Sequence, residues 1–237
     1  MSDIITYLTK IRFGCGALAE LGQEIGEQGI ARPMIVTDPG LAAAGLVQTV
    51  REAGGLDPSS PVFDRTPQNP TKAAVDEALA TLRDAKADGL VAIGGGSSID
   101  LAKAVALLAT HEGPLEEYAA IRGGVSRIGR NVLPVIAIPT TAGTGSEVGR
   151  AALITLDNER KLGIVSPNLI PTGAICDPEL TRTLPPRLTA ATGMDALSHC
   201  VETYLSPRVN PPADAIALDG LARAWSNLRL AVMDGDD

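Results

Sequence analysis

Gly89-Leu-Val-Ala-Ile-Gly-Gly-Gly-Ser-Ser-Ile-Asp100 is the stretch on which the fold turns. A short, wholly apolar run, Leu90–Ile93, has the composition of a strand buried on both faces. It runs straight into three glycines, and a helix follows from about Ser98 to Ala109. Glycine lets the backbone take positive φ and come close to a ligand. The start of the helix offers free N–H groups and a positive dipole end to an anion. Ser97 and Ser98 add hydroxyl donors, and the set suits a pyrophosphate. The turn is neither Gly-x-Gly-x-x-Gly nor a P-loop, and the residues alone equally fit a tight strand–helix turn with a serine cap.

Outward from this unit, strands and helices alternate. Met34–Asp38 reads as a buried strand, about 41–53 as a helix, and Pro61–Asp64 as a weaker strand. Asn69-Pro-Thr71 opens an amphipathic helix with Val75, Ala78, Leu79 and Leu82 on one face. Val132–Ile138 is a further strand, Ala151–Thr155 and Lys161–Val165 a hairpin pair, and Ala174–Asp177 a short strand. After Pro185-Pro186 the pattern is helical only, about 187–205 and then 211–231. The expected fold class is α/β: a Rossmann-like dinucleotide-binding domain over 1–185, then the beginning of an all-α metal-binding domain over 186–237. The chain stops at Met233-Asp-Gly-Asp-Asp237 directly after a helix, and two helices are too few to enclose a core, so the end reads as a truncation, with a natural acidic tail as the alternative.

The composition narrows the function. Aromatic residues are only 3%, so the core must be aliphatic. A net charge of −8 argues against a general nucleic-acid or anionic-membrane surface. Cys15, Cys176 and Cys200 are odd in number and widely spaced, which fits a reducing compartment and not a disulfide framework. The first residues show no secretory signal, and no apolar stretch reaches spanning length. The expectation is a cytoplasmic protein acting on a small molecule, without nucleic acid or membrane.

Three further features carry chemistry. Asp38 closes a strand, where an acidic group can accept from an adenosine ribose and favour NAD over NADP; it also fits a turn before Pro39-Gly40. Pro139-Thr-Thr-Ala-Gly-Thr-Gly-Ser-Glu147 is dense in small hydroxyl residues and can line a cofactor crevice through Thr140, Thr141, Thr144 and Ser146, though it also fits a polar loop with Thr/Ser turns. Asp195 and His199 are four apart on a helix, so a carboxylate oxygen and an imidazole nitrogen share a face. By spacing alone the pair reads first as a surface ion pair, with Leu197, Val201 and Leu205 as an apolar stripe on roughly the opposite face.

In spacing and order, the segments 94–100, 139–147 and 191–199 (Ala-Thr-Gly-Met-Asp-Ala-Leu-Ser-His) resemble the three signatures of the iron-containing (group III) alcohol dehydrogenases. The resemblance covers almost the whole chain. It implies a Rossmann-like domain followed by a helical metal-binding domain, with a hydride exchanged between an alcohol and NAD (or NADP) to give an aldehyde or ketone. It also implies a divalent metal as Lewis acid, Fe²⁺ with Zn²⁺ or Mn²⁺ as substitutes. It assigns Asp38 to the ribose, Asn69 to the cofactor cleft, and Gly95, Gly96, Ser97 and Ser98 to the pyrophosphate. Thr140, Thr141 and Thr144 fall near the phosphates and nicotinamide, Lys161 at the cofactor, Thr181 beside the adenosine, and Asp195 and His199 on the metal. No side chain stands out as an obligatory general base. Family members often form homodimers. The family completes its metal site with two more histidines on later helices, and no histidine follows His199 here; His111 reads as a surface or cap residue. Two alternatives stay open: a nucleotide-binding fragment without catalysis, and a metal-free enzyme like the maleylacetate reductases, against which Asp100, Asp195 and His199 speak.

Overall fold

The computed structural model describes residues 9–156 and 160–235. The N-terminal residues 1–8, read above as lacking a signal, and the last two residues of the acidic end lie outside the described residues. In chain order the elements are β1 (Lys10–Phe13), α1 (Leu21–Glu27), β2 (Pro33–Val36), α2 (Pro39–Ala43), α3 (Leu46–Gly54), β3 (Val62–Phe63), α4 (Lys72–Asp84), β4 (Gly89–Gly94), α5 (Gly96–Leu108), β5 (Val135–Pro139), β6 (Ala151–Thr155), β7 (Lys161–Val165), β8 (Gly173–Cys176), α6 (Pro186–Tyr204) and α7 (Pro211–Met233). The chain divides into two compact units.

The first unit, Thr9–Pro139 with Ser146–Asp177, holds a six-stranded parallel sheet in the order β1-β8-β5-β4-β2-β3, and the antiparallel hairpin β6-β7. Every residue of β2 and β4 is buried. That is why these strands read as continuous apolar runs and not as alternating ones. Leu90 and Ala92 from β4 join Met34 and Val36 from β2 in one aliphatic core, with Val75 and Leu79 of α4 and Leu101 and Val105 of α5. α4 buries the five residues its periodicity marks, Ala74, Val75, Ala78, Leu79 and Leu82. Its start is set by Thr71, whose Oγ1 accepts the N–H of Ala74 at 3.2 Å.

The expected helix over 41–53 is two helices, α2 and α3. Pro39 and the Asp38 cap start α2 early, and the chain turns left-handed at Gly45 before α3 begins. The sequence gives no apolar signal for β1, because that strand is an edge whose residues are mostly exposed. Charge holds it instead. Glu24 of α1 is buried and receives Lys10 Nζ at 2.8 Å and Arg12 Nε at 2.7 Å. Glu27 takes Arg12 Nη2 at 3.1 Å and also pairs with Lys10. Such a charged edge resists pairing with a foreign strand. At the end of β8, the Asp177 carboxylate accepts the N–H of Gly16 at 3.1 Å and of Leu18 at 3.0 Å, tying the segment after β1 to the sheet.

The second unit comprises Thr140–Gly145 and the chain from Pro178 onward. Its helices α6 and α7 pack against one another. The expected stripe of α6 is only partly buried: Leu197 is inside, whereas Val201 and Leu205 are exposed. Ile216, Trp225 and Met233 of α7 are exposed as well. No helix among the described residues is long and apolar enough to cross a membrane.

Burial pushes the Glu24 carboxyl up, but hydrogen bonds from Lys10, Gln28 and Arg12 outweigh it and hold it below the ordinary value. Lys10 and Gln23 hold Glu27 down at about 2. A carboxyl with a depressed folded-state pKa stabilises the fold above its unfolded value of 4.5, and that contribution is lost as pH falls toward the folded value. Denaturant midpoints are therefore expected to drop between pH 4.5 and 2. Glu24→Gln should flatten that dependence; an unchanged slope in the variant would show that this cluster is not its source.

Candidate functional site

The sheet reverses direction of growth between β2 and β4. From β2 the chain adds β3 on one side, then crosses back to place β4 on the other. In open parallel sheets the crevice beyond the carboxyl ends of such strands is where ligands bind. Asp38 follows β2 and Gly94–Gly96 close β4, so both flank this point.

The turn itself is built around backbone geometry. Gly94 has φ +143°, and a Cβ there would stand 2.7 Å from the Ser98 hydroxyl. Only glycine fits. Gly95 is the N-cap of α5 and no side chain caps the helix. The first-turn N–H groups of Gly96, Ser97 and Ser98 thus lack the side-chain acceptor that a Ser or Asp cap supplies. The serine-cap alternative does not hold here, since Ser98 is buried inside the first turn and Ser97 donates elsewhere, to the carbonyl of Gln68.

That bond draws the Gln68–Thr71 segment to the turn. The segment is also pinned to the hairpin: Thr155 N donates to Pro70 O at 2.8 Å, and Thr155 pairs with Lys161. Exposed Asn69 and exposed Lys161 are thereby gathered with the glycine turn in one unit. Asp38 caps α2 through Oδ1, which accepts the N–H of Gly40 at 2.9 Å and of Leu41 at 3.0 Å. Neither bond uses Oδ2.

Thr140, Thr141, Thr144, Thr181, Asp195 and His199 belong to the other unit. Thr140 is buried, and Thr181 folds its hydroxyl back onto the Pro178 carbonyl at 2.8 Å. Asp195 Oδ1 and His199 Nε2 are 3.8 Å apart on α6, both partly solvated. His199 Nδ1 lies 3.2 Å from the carbonyl oxygen of Gly143. A carbonyl can only accept, so Nδ1 carries a proton, and in the neutral imidazole Nε2 then presents its lone pair on the side of Asp195. This is how metal-ligating histidines are commonly oriented. The loop reaches His199 because Gly143 touches α6: a Cβ there would lie 2.6 Å from the Thr192 carbonyl oxygen. Among the described residues no group of three or more His, Cys, Asp or Glu could hold a metal. Asp195 and His199 fit two positions of such a donor set and no more. His111 is not a third: Nε2 accepts the Gly129 N–H at 2.9 Å, and Nδ1 faces the Leu107 carbonyl at the end of α5.

One functional-looking group escaped sequence reasoning. Lys103 sits wholly buried on α5 with Asp100 one turn before it. The available signal was a lone lysine in an otherwise apolar helical run, Leu101–Leu108.

A family model described as iron-containing alcohol dehydrogenase matches residues 9–178, and one for the C-terminal part of that family matches residues 189–237. A 4-hydroxybutyrate dehydrogenase of Cupriavidus necator is 57% identical over 234 residues, covering 98% of this chain and 61% of its own. Alcohol dehydrogenase 4 of Saccharomyces cerevisiae is 43% identical over 229 residues, covering 95% of this chain and 58% of its own. Among solved structures, a sulfoacetaldehyde reductase from Bifidobacterium kashiwanohense in complex with NAD+ aligns with a TM-score of 0.91 at 32% identity, over 99% of this chain and 62% of that one. A 1,3-propanediol oxidoreductase aligns at 0.90 and 37%, with the same coverage. The chain thus spans about three fifths of the length of these relatives.

Gly143→Ala should force the loop off α6 and cost about 1–3 kcal/mol. Long-range ¹H–¹⁵N spectra of the imidazole should show the Nδ1–H form of His199 in the wild type and a mixed tautomer in the variant. The same tautomer balance in both would contradict the orienting role of the Gly143 carbonyl.

Proposed function

The chain belongs to the iron-containing alcohol dehydrogenase family, and on that premise we propose that it supplies the nucleotide-binding domain and the first metal-ligating helix of an oxidoreductase. The reaction is hydride transfer between an alcohol and NAD. Bound there, the nicotinamide supplies a hydride acceptor and the divalent ion, Fe²⁺ or its substitutes, a Lewis acid.

The observation that carries the reading is the uncapped start of α5 directly behind Gly94, at the switch point of the sheet. In the proposal, Gly95, Gly96, Ser97 and Ser98 hold the pyrophosphate by backbone N–H groups and the helix dipole. Asp38 keeps its Oδ1 on the α2 cap and offers Oδ2 to the ribose hydroxyls. A 2′-phosphate would meet this carboxylate as a like charge, which favours NAD over NADP. Asn69 and Lys161 line the cofactor from the hairpin side, Lys161 adding a cation for the phosphates. Thr140, Thr141 and Thr144 are assigned to the nicotinamide end and Thr181 to the adenosine end. Asp195 and His199 hold the metal, with Gly143 fixing the imidazole.

The matched relatives' names include 4-hydroxybutyrate and 1,3-propanediol dehydrogenases, so a small primary alcohol is the proposed substrate class. The three cysteines are free, consistent with the proposed cytoplasmic location. The two-ligand set supports a second reading for the 237-residue chain taken alone: it binds dinucleotide but holds metal weakly and turns over little alcohol.

Fluorescence titration with NADH and NADPH tests the nucleotide reading. Saturable NADH binding is expected, and Asp38→Gly should narrow the preference for NADH over NADPH by about tenfold, roughly 1.4 kcal/mol. Adding Fe²⁺ and 4-hydroxybutyrate to the same chain separates the two readings. Strong metal-dependent NADH formation would overturn the weak-metal one, and no NADH binding at all would overturn both.

A further inference from the structure

The nucleotide and metal assignments leave Lys103 unused, although it is among the largest fully buried side chains described. Its Nζ donates to Ser146 Oγ, to the Gly149 carbonyl and to the Ala151 carbonyl, each at 2.9 Å. An ammonium has three protons and no acceptor capacity, so each proton meets one acceptor. All three acceptors lie on one stretch, Ser146–Ala151, which leads into β6. Asp100 completes the arrangement. Its carboxylate accepts the Ser146 hydroxyl and the N–H of Leu153 at 3.0 Å, and it stands 3.8 Å from Lys103 Nζ. One turn of α5 therefore grips the incoming chain at four residues, Ser146, Gly149, Ala151 and Leu153. A buried charge is tolerated only with its partners in place, so the lysine and the segment enforce each other's position.

We infer that Lys103 is a positioning residue that clamps Ser146–Ala151 onto α5 and so fixes, relative to the glycine turn on the same helix, the point where the threonine-rich loop rejoins the sheet unit. This rests on the nucleotide reading above: a dinucleotide held at the glycine turn needs the following loop anchored in one place. Two charged groups face the ammonium. Asp100 comes from its own helix and Glu147 from the clamped segment, and burial raises the carboxyl pKa of both while Lys103 pulls it down. Behind Glu147, burial and that carboxylate push the Cys176 thiol up to about 11. Burial lowers the Lys103 ammonium to about 8, against the pull of Asp100 and Glu147. Above that pH the amine has two protons for three acceptors, and the clamp loosens. From about 8 to the unfolded value of 10.5 the folded chain binds fewer protons than the unfolded one, so this group favours folding as pH rises. The loosening is local and separable from global stability.

The test is hydrogen–deuterium exchange and NADH titration on the full 237-residue chain, as wild type, Lys103→Met and Ser146→Ala. In Lys103→Met, amides of 147–153 should exchange about tenfold faster while those of β4 and β5 hold their protection. NADH should bind about tenfold more weakly. Wild-type NADH affinity should decline as pH rises through about 8, and the methionine variant should lose that dependence. Ser146→Ala keeps the lysine and its two carbonyl acceptors, so about a threefold effect is expected; it decides the matter if Lys103→Met does not fold. Unchanged exchange at 147–153, or an even acceleration across the whole sheet, would overturn the clamp. Absent NADH binding in the wild type would overturn the nucleotide reading alone, since the exchange measurement still decides whether the segment is clamped.

Discussion

Backbone N–H groups at the start of a helix must find an acceptor, and α5 brings none of its own. β4 is buried along its whole length, so the chain leaves the sheet at Gly94 with no polar side chain to spend on the turn. A residue with a Cβ at Gly94 would collide with Ser98, and a Ser or Asp cap at Gly95 would satisfy the donors from within. The glycines keep the donors free and the approach open. The other parts of the sheet unit follow from that choice: Ser97 holds the Gln68–Thr71 segment beside the turn, Thr155 ties that segment to the hairpin, and Asp38 stands at the neighbouring strand end.

Much of this was legible in the sequence, for a physical reason. Strands buried on both faces are written as apolar runs, so β2, β4 and β5 announced themselves, and Thr71 and the stripe of α4 marked a helix with its cap. The hairpin β6-β7 has the expected bounds. What stayed hidden was held by charge and not by apolar periodicity. β1 alternates basic and apolar residues at an exposed edge, and its partner is a buried glutamate on α1. The helix expected over 41–53 broke in two because a single left-handed residue interrupts an otherwise continuous pattern.

The site shows the same division. Local spacing identified the glycine turn, the Asp195–His199 pair and the threonine-rich loop as candidates. It could not show that the Gly143 carbonyl orients His199, because that bond joins residues far apart in sequence. The apolar run around Lys103 hints at burial, but spacing could not name its acceptors, since two of the three are main-chain carbonyls more than forty residues away. Composition and spacing mark the motifs; what they leave out is which backbone groups are free and which are taken.

The most direct measurement is amide chemical-shift mapping of the ¹⁵N-labelled chain during titration with NADH. Saturable shifts are expected at Gly95, Gly96, Ser97 and Ser98, with Asp38 and Gly40 responding on the same curve. Saturable binding that leaves the α5 N-terminus unmoved and perturbs another surface would contradict that expectation.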